Sequence, residues 1–385
     1  MKPEKTSGGN RLLSFMLTLI LLLFALGFAV SAWQEPQNAP EENENAPPSN
    51  NENQENGENQ EENLEKPDDG EENPENGEEN SEPPPIIEVP KYYHSLTGLE
   101  ILESELQKAA LGYVVSSSTP LYGISNADLT IEFPTEDGST RLLTYTTNDA
   151  LLWKVGSLAP SRSFISSMSN FFGGIIVSYG NDDIIEYGFD DSANSSVDIS
   201  KHSDCYYIEN ASFIYTSKEK TNELILRNGL SFSPGYKSAP FKFAPIGEST
   251  AGLTPAQSVT LPYTDSKKTE FVYSESSGQY LYFKDGRRKV DMLNGKNVAF
   301  TNVFVLFANA TTYEKSEGVE MVIDTVSGGK GYYLSGGTLT EIYWSVTFEG
   351  NLEFRTLNGE ILTVNRGNSY IGYYKASQMS NVVFN

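Results

Sequence analysis

Cysteine and histidine are nearly missing from this chain: Cys205, His94 and His202 are its only examples in 385 residues. One cysteine cannot close an internal disulfide, so a folded body must rest on its own hydrophobic core. Two histidines argue against a His-rich zinc site. The aspartate pairs Asp182-Asp183 and Asp190-Asp191 lack the ligand spacing of a dedicated calcium loop. No glycine-rich phosphate cradle precedes a helix. No metal and no cofactor are therefore expected. Positive charge is also scarce, with 27 Lys and Arg against 52 Asp and Glu, a net of −25. No basic cluster stands out in the body, which argues against nucleic acid as a partner.

Long apolar runs are absent with one exception, LLSFMLTLILLLFALGFAVS at residues 12–31. About 20 apolar residues suffice to cross a hydrocarbon core roughly 30 Å thick. Lys2, Lys5 and Arg11 precede the run and acidic residues follow it, so the body is expected outside the cell. Residues 1–33 are expected to form a cytoplasmic tip and a single-pass signal-anchor. The competing reading is a signal peptide cleaved after Ala32, since Val30 and Ala32 place small residues at the cleavage positions. No cysteine lies nearby to carry a lipid.

Residues 34–88 form a Glu/Asn/Pro-rich linker. From Gln34 to Pro90 there are 19 acidic residues and one lysine, so most of the net charge belongs to this tract and residues 91–385 carry −9. With almost no large apolar side chains, it is expected to be disordered. As a flexible coil of about 50 residues it would span on the order of 40 Å.

The body divides by texture. Residues 89–245 are expected to form an α/β domain. Strands are read at Tyr113–Val115, Asp128–Phe133, Arg141–Thr146 and, as a central strand, Gly174–Tyr179. Phe164, Ile165, Met168, Phe171 and Phe172 fall on one helical face. A second helix starts at a capping box of Thr216 and Glu219 and ends at Arg227 and Gly229. Residues 258–378 are expected to form a mainly antiparallel β domain. Its turns are announced by Ser277-Gly278, Asp285-Gly286, Asn294-Gly295, Glu349-Gly350 and Asn358-Gly359.

Several of these segments carry a resemblance. Ser95-Leu96-Thr97-Gly98-Leu99, the run PLYGISNADLTIEFPTEDGSTRLL and the run YLYFKDGRRKVDMLNGKNVAFTNVFV resemble motifs of the YerB-like lipoprotein family of Gram-positive bacteria. That family pairs an amino- and a carboxy-terminal domain of unknown function. The resemblance covers roughly residues 95–375. It retains Pro120, Gly123, Ala127, Asp128, Glu132, Glu136, Gly138, Thr140 and Arg141, with Asp291 and Asn302 in step in the second region. It departs at Gly156–Arg162, where one of two family arginines is missing, and at Ser212-Phe213, where the family has His-Asn. The lipobox is replaced by the apolar run.

Two sets of residues carry candidate chemistry. Glu132 and Glu136, four apart, would share a face of a persisting strand, and paired carboxylates are the apparatus of glycosidases. Arg141 and Arg162 would converge on an anionic ligand, with Arg162 at a helix start where free N–H groups favour anions. The resemblance adds Asp291 and Asn302 as ligand-binding candidates. Cys205 with His202 invites a nucleophile and base reading, against their loop-like setting. Tyr332, Tyr333, Tyr343 and Trp344 offer a stacking surface or ordinary strand filling. The expectation is an extracytoplasmic, membrane-anchored envelope protein, a binding or scaffolding module for a wall polymer or partner protein. The alternative is a wall glycan or peptide hydrolase using the paired carboxylates. Oligomeric state is open.

Overall fold

The computed structural model describes residues 91–106, 110–147, 152–180, 196–210, 213–230, 240–315 and 318–385. The apolar run at 12–31, the acidic tract and the two aspartate pairs lie outside the described residues. No helix among the described residues is long and apolar enough to cross a membrane.

Strand-forming runs rich in Val, Ile, Tyr and Thr give the first region its strands: β1 (Leu111–Ser116), β2 (Leu129–Pro134), β3 (Thr140–Thr146), β4 (Ile175–Ser178) and β5 (Ser196–Asp198). The second region supplies β6 (Ser258–Pro262), β7 (Lys268–Ser274), β8 (Gln279–Lys284), β9 (Asn302–Ala308), β10 (Gly329–Ser335), β11 (Thr338–Val346), β12 (Leu352–Thr356) and β13 (Ser369–Lys375).

One 11-stranded sheet runs through both regions in the order β11-β10-β9-β13-β2-β3-β1-β4-β5, with Thr254–Pro255 and β12 both on β11. The join is parallel, Ser369 to Gly372 of β13 lying opposite Leu129 to Glu132 of β2. The sheet thus crosses the interval between 89–245 and 258–378, and residues 84–385 form one compact unit. A six-stranded sheet built around β6, β7 and β8 forms a second layer.

Both faces of the large sheet are buried, so strand alternation separates two cores rather than core from water. Leu129, Ile131 and Phe133 of β2 point into the core that holds Phe164, Ile165, Met168, Phe171 and Phe172. Val303, Val305, Tyr370 and Tyr374 point the other way, among Val259, Phe271, Tyr280 and Tyr282 of the second sheet. Each such side chain contributes roughly 1.5–3 kcal/mol by leaving water.

Several expectations need correction. The architecture is mainly β, with little helix in the first region. The apolar face at 164–172 is buried as expected, but its helix is two single turns, α1 (Ser163–Ser166) and α2 (Ser169–Phe172). Ser167 and Ser169 turn their hydroxyls onto the Phe164 and Ser166 carbonyls, the competition that makes serine a poor interior helix residue. The 10-residue helix α3 (Lys218–Arg227) is capped by Ser217, one residue later than read, because Thr216 still ends a strand. The second region is mainly antiparallel, with the exception of β13, which runs parallel to β9 and to β2. The run at 174–179 is β4, next to the outermost strand β5 rather than central.

Candidate functional site

Glu132 is the one acidic side chain that β2 sends between the sheets, and it is fully buried. Lys284, the last residue of β8, places its ammonium 3.0 Å from the Glu132 Oε1 and is itself buried. Thr269 donates to the same oxygen at 2.8 Å, as does the Thr140 hydroxyl. Tyr370 donates to Oε2 at 2.6 Å. Gly372 lies opposite Glu132 in the ladder, and a Cβ there would come within 2.8 Å of the Tyr370 hydroxyl. Burial pushes the Glu132 carboxyl up, but the Lys284 charge and the hydroxyl donors outweigh it and hold it below its ordinary value. The carboxylate is ionised, saturated with donors and closed to water.

Immediately after Lys284 the chain turns back through Asp285-Gly286, both at positive φ (52° and 74°). This is the tight hairpin geometry that the dipeptide favours. Asp285 reinforces the turn by accepting from the Lys268 N–H at 2.8 Å. The returning residues Arg287 and Arg288 lie opposite Lys284 and Phe283. Arg287 therefore lies opposite Lys284 in the ladder, exposed where Lys284 is buried against Glu132. Lys289 follows, half-buried, donating to the Thr119 carbonyl at 3.1 Å. Burial and the Lys284 and Arg287 charges hold the Lys289 ammonium below its ordinary value. Among the described residues, the exposed Arg287 and Arg288 guanidinium groups have no carboxylate partner.

These residues line a cleft of about 520 Å³, with Ser118, Thr119, Pro120 and Leu121 from the first region and Lys284, Asp285, Arg287, Arg288, Lys289, Val290 and Met292 from the second. Asp291 fastens the two walls together. Fully buried, it accepts from the Gly123 N–H at 2.9 Å, the Ser125 N–H at 2.8 Å, the Ser125 hydroxyl at 2.7 Å and the Leu293 N–H at 2.9 Å. Gly123, at φ 81°, takes a left-handed conformation that a side chain would resist. A second cleft of about 580 Å³, between Thr250–Thr254 and Thr356–Thr363, is lined mainly by hydroxyl and aliphatic side chains with Glu341 and Glu360. It gathers no comparable set of charges.

The residues singled out in the sequence fall elsewhere. Glu136 lies beyond Pro134, where β2 has ended, and does not share Glu132's face. It forms a bidentate pair with Arg162 at 2.7 and 2.9 Å. Arg162 is buried and also donates to the Met321 carbonyl at 3.1 Å, so it is not open to a ligand. Arg141 is half-buried on β3 and is not a free cation. Asn302 is fully buried, donating to the Asn365 carbonyl at 2.9 Å and accepting from the Tyr333 hydroxyl at 2.8 Å. Asp291 and Asn302 thus brace the fold. Cys205 is buried beside Asp204 and Arg227, and burial pushes its thiol up, away from the nucleophilic thiolate. Its hydrogen bond with His202 is between backbones. Tyr333 and Trp344 are core residues, Tyr332 is half-buried and Tyr343 is exposed, so the four do not share one surface.

Comparison with known proteins bears on family and fold. Residues 96–229 match the N-terminal domain, and residues 259–371 the C-terminal domain, of the family described as a protein of unknown function (DUF3048). The chain belongs to the YerB-like family. It is similar to the Bacillus subtilis (strain 168) protein named "Putative lipoprotein YerB", with 26% identity over 295 residues, 71% of this chain and 80% of that one. The crystal structure of YerB from Bacillus subtilis has the same fold, with a TM-score of 0.67 and 21% identity, covering 77% of this chain and all of that one. In the YerB-like frame, the two matched segments are the ones that Asp291 and the Glu132–Lys284 pair tie together.

The basic cleft escaped sequence reasoning. Arg287-Arg288-Lys289, with Lys284 just before the turn, is a basic cluster in an otherwise acidic body, against the expectation of none. The signal was present: three consecutive cations directly after an Asp-Gly turn.

Proposed function

We propose that this protein is a non-enzymatic binding module of the cell envelope, and that it recognises an anionic polymer through the cleft between 118–121 and 284–292. The observation that carries the reading is the row Arg287, Arg288 and Lys289 lining one cavity, with both arginines exposed and, among the described residues, without a carboxylate partner, and Lys284 behind them already paired with Glu132. Arginine forks suit phosphate and carboxylate groups. The hydrolase alternative has less support, since both candidate acids are engaged in ion pairs, with Lys284 and with Arg162. An envelope location accords with the apolar run at 12–31 and with the lipoprotein designation of the Bacillus subtilis relative.

Titrating the full chain with inorganic polyphosphate at low and moderate salt tests this. Binding is expected to weaken with salt, and Arg287→Ala/Arg288→Ala to weaken it about tenfold or more, since each charge-assisted contact contributes about 1.5–3 kcal/mol. Both side chains are exposed, so folding is preserved. Equal affinity of variant and wild type would refute the cleft as the site.

A further inference from the structure

The cleft does not end at Leu121. Tyr122 leads out of it and exchanges backbone hydrogen bonds with Gly156 at 2.8 and 3.3 Å. That pairing draws the 152–156 segment alongside. The Lys154 carbonyl and Leu152 fill the space next to Gly123, 3.3 and 3.1 Å from where a Cβ would stand. Lys154 lies 4.2 Å above the Tyr122 ring and 4.0 Å above the Tyr215 ring, and the two rings meet edge to face at 5.1 Å. This rigid base carries Trp153, whose indole is 66% exposed. Val155–Gly156 edges a three-stranded sheet with Phe213–Thr216 in the middle and Tyr207–Asn210 at the far edge, all four of the latter exposed, where Lys220 sits 4.4 Å over the Tyr207 ring.

Exposed aromatic side chains on a fixed support contribute little to the fold and much to recognition. Here Lys154 pairs with Glu209 at 3.4 Å, so the ledge is closer to neutral than the cleft and suits the uncharged part of a ligand. A small anion would occupy the cleft and leave the ledge empty. We infer that the ligand is a phosphodiester-linked polymer with hydroxylated carbon units between its phosphates. Its phosphates would meet Arg287 and Arg288, and the C–H face of an adjoining sugar or polyol would lie against Trp153. This inference rests on the anion-binding reading of the cleft. A single-stranded nucleic acid also offers phosphates and flat groups, but such strands stack successive bases on several open rings, and here the Tyr207 ring face is covered by Lys220.

The test uses the full chain carrying Trp33→Phe, so that Trp153 and Trp344 are its remaining tryptophans. Trp344 is 2% exposed, which makes any ligand-induced change in the emission of exposed indole a report on Trp153. Three probes are compared: inorganic polyphosphate, poly(glycerol phosphate) and a thymidine oligonucleotide. Poly(glycerol phosphate) is expected to shift the emission to the blue. Trp153→Ala is expected to weaken its binding about fivefold while leaving polyphosphate binding unchanged. If Trp153→Ala changes neither, the ledge is no subsite, while loss of polyphosphate binding in Arg287→Ala/Arg288→Ala still upholds the cleft. If the arginine variant binds every probe like wild type, the cleft reading fails and this one with it. Tighter, Trp153-dependent binding of the oligonucleotide overturns the polymer assignment.

Discussion

Glu132 shows how a residue can be singled out correctly for the wrong reason. The resemblance marks it, and its type invites catalysis, but its partners Lys284, Thr269 and Tyr370 lie 137 to 238 residues away in the chain. No local pattern reveals them. The period-of-two argument that paired it with Glu136 fails at Pro134, the last residue of β2, which has no N–H to continue a ladder. Lys284→Met should destabilise the protein by about 3–5 kcal/mol at neutral pH, because it leaves a buried carboxylate without its cation. Glu132 titrates below its ordinary value, so its stabilisation is present above that value and fades as pH falls through the folded value. In Lys284→Met the carboxyl instead gains by protonation. The gap between variant and wild type in urea denaturation should therefore narrow from pH 7 to pH 4. Adding Glu132→Gln to the variant should restore most of the loss, and a gap that widens in acid would show that the pair is not ionised.

Among the elements, hairpins were legible and helices less so. Asp285-Gly286 announces its turn because few residues tolerate two consecutive positive φ angles, and the structure has both. The serine-rich stretch at 161–169 keeps a helical apolar period, yet its hydroxyls break the helix into two turns, which periodicity alone does not register. What the turn does for the site follows from register: it sets Arg287 opposite Lys284. Gly286→Ala meets no atom within 4 Å, so its cost is backbone strain alone, about 1–2 kcal/mol at φ 74°. It should lower the unfolding free energy by that amount, moving the urea midpoint down in proportion, and weaken polyphosphate binding by displacing the arginines. Unchanged stability with unchanged binding would mean that the turn tolerates a side chain and does not position them.

For the whole molecule, composition was a partial guide. A net charge of −25 dominated by the 34–90 tract conceals a local basic cleft, because a sum over the chain says nothing of which residues the fold collects. Likewise the change of texture near residue 250 reflects different strand lengths and turns, while the parallel join of β13 to β2 makes the two regions one sheet. Long-range pairing of that kind leaves no local signature. The same arrangement unites the walls of the cleft, 118–121 from one region and 284–292 from the other, through Asp291.

The most direct measurement incubates the full chain with isolated cell walls, following the protein in the pellet and wall fragments in the supernatant by mass spectrometry. The expected result is sedimentation without release of fragments, reduced by Arg287→Ala/Arg288→Ala and by raised salt. Fragments released by the wild-type protein, or sedimentation indifferent to the arginines, would contradict a non-enzymatic module that binds its polymer through this cleft.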